Sequence, residues 1–333
     1  REHVSVHSFG ILGPGISPKV FTNSYETPVA SNFVHKLVMA KPLSAPAKST
    51  QRDDLTLFLE ERLTDVEFLV EYDPHPPKVV KAHKMMLAVR NEVFEAMFYG
   101  NLPEKDQVRI TDLHPDGFFT FIKYLYTRKA TFVDIQQAVH TRAAAQKYMD
   151  SKGMQDCDTF IQQEVKPTNV CIVLDYLVKY GNIANLDGII NNILSANIRQ
   201  VLTSKAFIAA SSESVVRILK VPGLKITEYE IIEGVYNWAV ARCKQEPDKP
   251  TIATLQKSMR PFLPELRFLT LSAQEFVKGP ALWKIMTGSE ALAVLCNILK
   301  PGSEMWPEVI CKIAEKRISG ERRPQLICPW CSR

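Results

Sequence analysis

Between Asp65 and Tyr126 the apolar and polar positions change period repeatedly, almost without spacers. Val66, Phe68, Val70 and Tyr72 fall two apart, which predicts a strand from Asp65 to Tyr72 with one buried face. The prolines among Asp73 to Pro77 lack backbone donors, so the ladder is expected to resume only at Lys78 and to run to Ala82 as the return strand of a hairpin. From Lys84 to Gly100 the spacing of Met86, Val89, Val93 and Met97 is helical. Asn91 lies inside that stretch as an N-cap and Gly100 ends it, so two short helices fit better than one. Val108, Ile110 and Leu113 return to strand spacing. His114-Pro115 then opens a helix bearing Phe118, Phe119, Ile122, Leu125 and Tyr126 on its apolar side.

The flanks have other patterns. A helix from Asp54 carries Leu55, Phe58, Leu59 and Leu63 on one stripe, with Glu60, Glu61 and Arg62 off it. After Thr127 come a loop, a helix from Asp134 to about Tyr148 and another near Met154 to Val165, until Pro167-Thr168-Asn169 breaks and recaps the chain. Beyond this point the period is helical: Val170–Tyr180, Leu186–Ile198 and Ser214–Leu219 are apolar or amphipathic. Thr227-x-x-Glu230 and Ser272-x-x-Glu275 are capping boxes, the first heading a helix with Ile231, Val235, Trp238 and Ala239 on one side. Short loops between short helices imply stacked antiparallel pairs. Residues 1–51, with Gly13-Pro14-Gly15 and scattered Ser, Thr and Pro, show no sustained period and read as a mobile leader.

TDVEFLV, VKAHKMMLAVRNEVFEAMFYG and VRITDLHPDGFFTFIKYLYT resemble, in order and spacing, the BTB/POZ family. Asn91 stands where that family usually has Ser, and both residue types cap helices well. FIAASSESVVRILKVPGLKITEYEIIEGVYNWAVARC resembles the helical BACK domain that follows BTB in many ubiquitin-ligase adaptors. RPFLPELRFLTLSAQEFVKGP is similar to the subgroup in which a C-terminal β-sandwich, the PHR domain, comes next, whereas the last 33 residues of this chain hold no such domain.

The resemblance implies an α+β BTB/POZ domain, helices around a small mixed sheet, at residues 52–166. An all-α BACK domain of stacked helix pairs is expected at 167–300, then a mostly disordered tail at 301–333. It further implies that the helix bearing Leu55, Phe58, Leu59 and Leu63 packs against its counterpart in a homodimer. Leu102-Pro103-Glu104, in the loop after Gly100, fits the apolar-any-Glu pattern of BTB domains that bind cullin-3, with Tyr126 expected on the same surface.

Composition narrows the function. The net charge of +5 arises in the ends, because residues 1–51 hold five basic and two acidic groups and residues 301–333 hold six and four. The 30 basic and 30 acidic residues between them balance, and no basic run with interleaved aromatics suggests a nucleic-acid surface. Cys157, Cys171, Cys243, Cys296 and Cys311 lie singly in apolar helical context, as reduced core cysteines do. No membrane span or secretory signal is legible, so the chain is expected in the cytoplasm or nucleus. Cys328-Pro-Trp-Cys331 has the spacing of half a zinc site, but only Cys311 lies near enough in sequence to join it, so no metal is assigned.

No phosphate loop, nucleophile elbow or His-Glu-x-x-His pair is present, and His83 is expected to make structural hydrogen bonds. The reading is therefore a non-catalytic, cofactor-free adaptor that joins cullin-3 to an unidentified protein substrate. The alternative is a BTB scaffold or corepressor-type adaptor without a cullin partner.

Overall fold

The computed structural model describes residues 53–245 and 251–317. The expected leader and the Cys328/Cys331 pair lie outside the described residues. Helix α1 (Asp54–Leu59) starts where the Asp53 carboxylate accepts from the Thr56 amide at 2.8 Å. Strands β1 (Val66–Tyr72) and β2 (His75–Ala82) form the hairpin, and β3 (Gln107–Ile110) pairs in parallel with the other side of β1. The sheet is thus small and mixed, in the order β2-β1-β3. Val66, Phe68 and Val70 are its buried face, as their spacing requires.

β2 starts before Lys78, the expected first residue. His75 already pairs with Tyr72 across an irregularity in register beyond Val70. Pro76 and Pro77 are accommodated at this irregularity, where together they stand opposite Glu71 alone and neither is paired, on a strand that is also the edge of the sheet.

The two-helix reading after the hairpin holds. Helix α2 (Lys84–Arg90) stops at Asn91, whose side-chain carbonyl accepts from the Val93 and Phe94 amides and starts α3 (Glu92–Tyr99). Helix α4 (Pro115–Thr127) opens on proline, with the His114 ring accepting from the Asp116 amide. Phe68, Phe94, Phe118 and Phe121 fill the space between sheet and helices, and Phe94 stacks 4.4 Å from Tyr148. Helix α5 (Ile135–Lys147) crosses α4 so closely that a Cβ on Gly117 would lie 2.5 Å from His140 atoms. Only glycine fits there.

Helix α6 (Ser151–Glu164) precedes the break at Pro167. Asn169 spans the break, accepting from the Lys166 amide at 2.8 Å and donating to the Glu164 carbonyl at 3.1 Å. Then follow α7 (Val170–Tyr180), α8 (Leu186–Leu202), α9 (Lys205–Ala209), α10 (Ser212–Leu219) and α11 (Glu228–Gln245). After residues 246–250 come α12 (Ile252–Met259), α13 (Ala273–Phe276) and α14 (Gly288–Leu299). Thr227/Glu230 and Ser272/Glu275 make the reciprocal capping bonds read from the sequence. A further box, Thr287/Glu290, heads α14. Trp238, buried on α11, donates to the Ala210 carbonyl at 2.9 Å.

Arg142 couples the sheet-bearing part to the helices beyond the break. From α5 its guanidinium donates to the Asp158 carboxylate on α6, and at 2.6 Å to the Tyr176 hydroxyl on α7. Gln146 extends this network to Tyr176 and to the Tyr180 carbonyl.

The stretch beyond α14 is anchored as far as it is described. Cys311 donates its amide to the Leu263 carbonyl at 3.0 Å, and Ile310 is buried. Arg317 pairs with Glu228 at 2.9 Å, the two side chains only 4% and 5% exposed, and donates to the Leu219 and Glu265 carbonyls.

Candidate protein-interaction surface

The loop Gly100–Asp106 is fixed at both ends and bare in the middle. At its start the Gly100 amide donates to the Ala96 carbonyl, and the Glu104 amide donates to Met97 O at 2.8 Å. At its end Asp106 accepts from the Lys84 ammonium at 2.6 Å, and its carbonyl accepts from the Glu67 amide of β1. Between these ties the Leu102 side chain is 92% exposed. Pro103 and Glu104 are also exposed, and the Glu104 carboxylate has no partner among the described residues. Asn91 sets the direction of α3, and so of the loop, by donating to the Tyr148 carbonyl at the end of α5. A leucine displayed this way adds nothing to the fold, and its attachment is rigid enough to offer it to a partner.

Tyr126 is not on that surface. Its ring is buried, stacked 4.8 Å from Phe58, and its hydroxyl accepts from the His83 amide at 3.0 Å. Burial pushes the phenol up to about 12, so it stays protonated. The His83 ring bridges this hydroxyl and the Arg62 carbonyl, at 2.6 and 2.7 Å, and fastens the segment after α1 to α2. Its role in the described residues is structural.

The expected stripe divides, because α1 ends at Leu59 and Leu63 lies in the turn beyond it, not on the helix. Phe58 is buried against Tyr126 and Phe119, and Leu55 packs on the same core. Leu59 is half-exposed and Leu63 is 82% exposed. Leu63 also holds a left-handed backbone (φ 58), an uncommon state for a bulky side chain that nothing among the described residues rewards with burial. Arg90 at the end of α2 pairs with Asp54 at the start of α1, while His83 before α2 holds the Arg62 carbonyl beyond α1. The two elements therefore lie antiparallel, and Met85 and Val89 of α2 add exposed apolar side chains to this region. The sequence reading placed Val89 on the helical stripe with Met86 and did not name Met85. The signal was a seven-residue helix, KMMLAVR, with more apolar positions than one buried face can use.

Among the described residues the titratable groups outside ion pairs include three neighbouring histidines. His114 stacks on His140 at 4.1 Å and meets His75 edge-on at 4.6 Å. Burial, with His114, His75 and Lys179 nearby, lowers His140 to about 4, and burial also lowers His114. The stacked imidazoles are therefore neutral at pH 7, and no group of three His, Cys, Asp or Glu among the described residues could hold a metal ion. Burial raises the Cys157 and Cys171 thiols to about 12, which leaves them without nucleophilic thiolate. Among the described residues no helix is long and apolar enough to cross a membrane.

A small mixed sheet covered by helices, with a rigid loop and an apolar flank facing outward, is the build of a protein-interaction domain. Residues 55–165 match the BTB/POZ domain, and they form one in this chain. BTB/POZ domain-containing protein 6-B of Danio rerio is 29% identical over 235 residues, 70% of this chain and 48% of that protein. Human BTB/POZ domain-containing protein 6 is 28% identical over 239 residues, 72% of this chain and 44% of its own length. Human BTB/POZ domain-containing protein 3 is 27% identical over 235 residues, 70% of this chain and 44% of its own. The chain spans about half the length of the curated relatives it matches.

Proposed function

We propose that the chain is a homodimeric adaptor whose BTB/POZ domain recruits cullin-3, and whose helices after Pro167, read as a BACK domain, extend toward a substrate to be ubiquitinated. The observation that carries this reading is the loop with Leu102 exposed, Glu104 unpartnered and both ends tied down. An apolar side chain can seat in a partner's groove while the carboxylate accepts hydrogen bonds at a helix terminus. The chain supplies proximity, and a dimer doubles the sites within one assembly.

Calorimetric titration of the protein against the N-terminal domain of cullin-3 tests the loop. Glu104→Ala is expected to weaken binding roughly tenfold to a hundredfold, as loss of a charged acceptor worth about 1.5–3 kcal/mol does. Leu102→Asp weakens it further, and neither change affects folding because both side chains are exposed. Absence of binding by the unaltered protein would favour the scaffold or corepressor-type reading.

The dimer reading rests on Leu59 and Leu63, together with Met85 and Val89 of the neighbouring helix. Leu59→Asp with Leu63→Asp places carboxylates in the interface without touching the core, at a cost of several kcal/mol to association. Light scattering should then report a monomer with an unchanged melting temperature. Phe58 is unsuitable for this test, since its replacement opens a cavity in its own domain. A double variant that still elutes as a dimer would remove this flank from the interface.

A further inference from the structure

A cavity of about 510 Å³ lies between the BTB/POZ domain and the helices after Pro167. Tyr72 and Val139 contribute from the first part, Ile172, Tyr176 and Tyr180 from α7, and the small residues of α9 close the end. This size and apolar lining suit a small ligand or a few side chains of a peptide.

The cavity's charges are unbalanced. Lys179 donates to the Tyr72 hydroxyl at 3.0 Å and lies over the rings of Tyr72 and Tyr180, at 4.8 and 5.0 Å from their centres. Lys205, on α9, is exposed and also in the lining, and no carboxylate among the described residues pairs with either lysine. The one acid in the lining, Asp175, turns one oxygen to Ser211, accepting from its amide and hydroxyl at 2.9 and 2.7 Å, and keeps its charge. His140 adds an imidazole that is neutral at pH 7. The cavity therefore has an apolar floor and a lining with two lysines against one carboxylate, and that carboxylate is held toward Ser211.

We propose that this groove holds a short segment of another protein in which acidic residues alternate with large apolar ones: the apolar side chains fill the floor, and the carboxylates meet Lys179 and Lys205. Because the groove is formed by both parts of the chain, it places such a segment beside the BTB/POZ domain. The identification of that segment with the substrate to be ubiquitinated rests on the adaptor reading above; the binding preference itself does not.

The test is selection of short random peptides displayed on phage against the full protein, compared with Lys179→Glu and Lys205→Glu variants of verified melting temperature. Lys205→Glu leaves the Lys179–Tyr72 contact intact and so guards against a folding artefact. Acidic-apolar peptides should be enriched on the unaltered protein. Their affinity should fall roughly tenfold in each variant, and fall with added salt, as partly desolvated charge pairs do. No enrichment, or enrichment indifferent to charge reversal, would overturn the proposal. So would loss of cullin-3 binding in these variants, which would make the groove part of the cullin interface. Enrichment by a protein that does not bind cullin-3 leaves the groove standing and removes the adaptor reading alone.

Discussion

Arg317→Ala lowers the stability of the helical part by about 3–5 kcal/mol, as breakage of a buried ion pair does. The substitution leaves the Glu228 carboxylate 5% exposed without its counter-charge, and frees the Leu219 and Glu265 carbonyls that the guanidinium satisfies. The melting temperature should drop by roughly ten degrees, by the usual scaling for domains of this size. Joint replacement, Arg317→Met with Glu228→Gln, should recover the part of the loss due to the unpaired charge and leave the part due to the two freed carbonyls. It removes both charges yet leaves a side-chain oxygen for the Arg267 amide that Glu228 now serves at 2.9 Å. Differential scanning calorimetry of the three proteins decides the matter. A single variant that melts with its parent would mean that this stretch is not fastened in solution.

Arg142→Leu is the second large effect, about 2–3 kcal/mol, smaller because the Asp158 side chain retains 22% exposure and can rehydrate in part. The location of the damage matters more than its size. The guanidinium holds Tyr176 of α7 against α5, so amides of α7 should exchange with deuterium faster while those of β1 and α4 keep their protection. Equal acceleration throughout would show one cooperative unit, and unchanged exchange in α7 would show that apolar contacts alone hold the junction.

What was legible in the sequence was local. Asn91, Asp134, His114-Pro115 and the Thr227 and Ser272 boxes act within three residues of themselves, so their chemistry can be read from spacing and each starts a helix as read. The alternation in β1 was equally plain. Periodicity identifies an apolar face but does not say what covers it. The stripe from Leu55 to Leu63 looked uniform, yet Phe58 turns to Tyr126 while Leu63 faces solvent. Tyr126 itself, read as a surface neighbour of Leu102, is drawn inward by a histidine 43 positions earlier. Arg317 and Glu228 are 89 residues apart, and nothing near either announces the other. Tyr72 and Lys179 meet across 107 positions, so the groove could be seen only in three dimensions.

The prolines of β2 have a consequence for solubility. An exposed sheet margin is a template on which further chains can add strands, and the hazard grows when copies are held close together. Along β2 that margin carries Pro76 and Pro77, which offer no donor, and Lys78 and Lys81, whose ion pairs with Asp116 and with Glu61 and Glu67 an added strand would have to crowd. The same irregular start that made the strand hard to read protects it: strand-by-strand growth is disfavoured at this end of the margin.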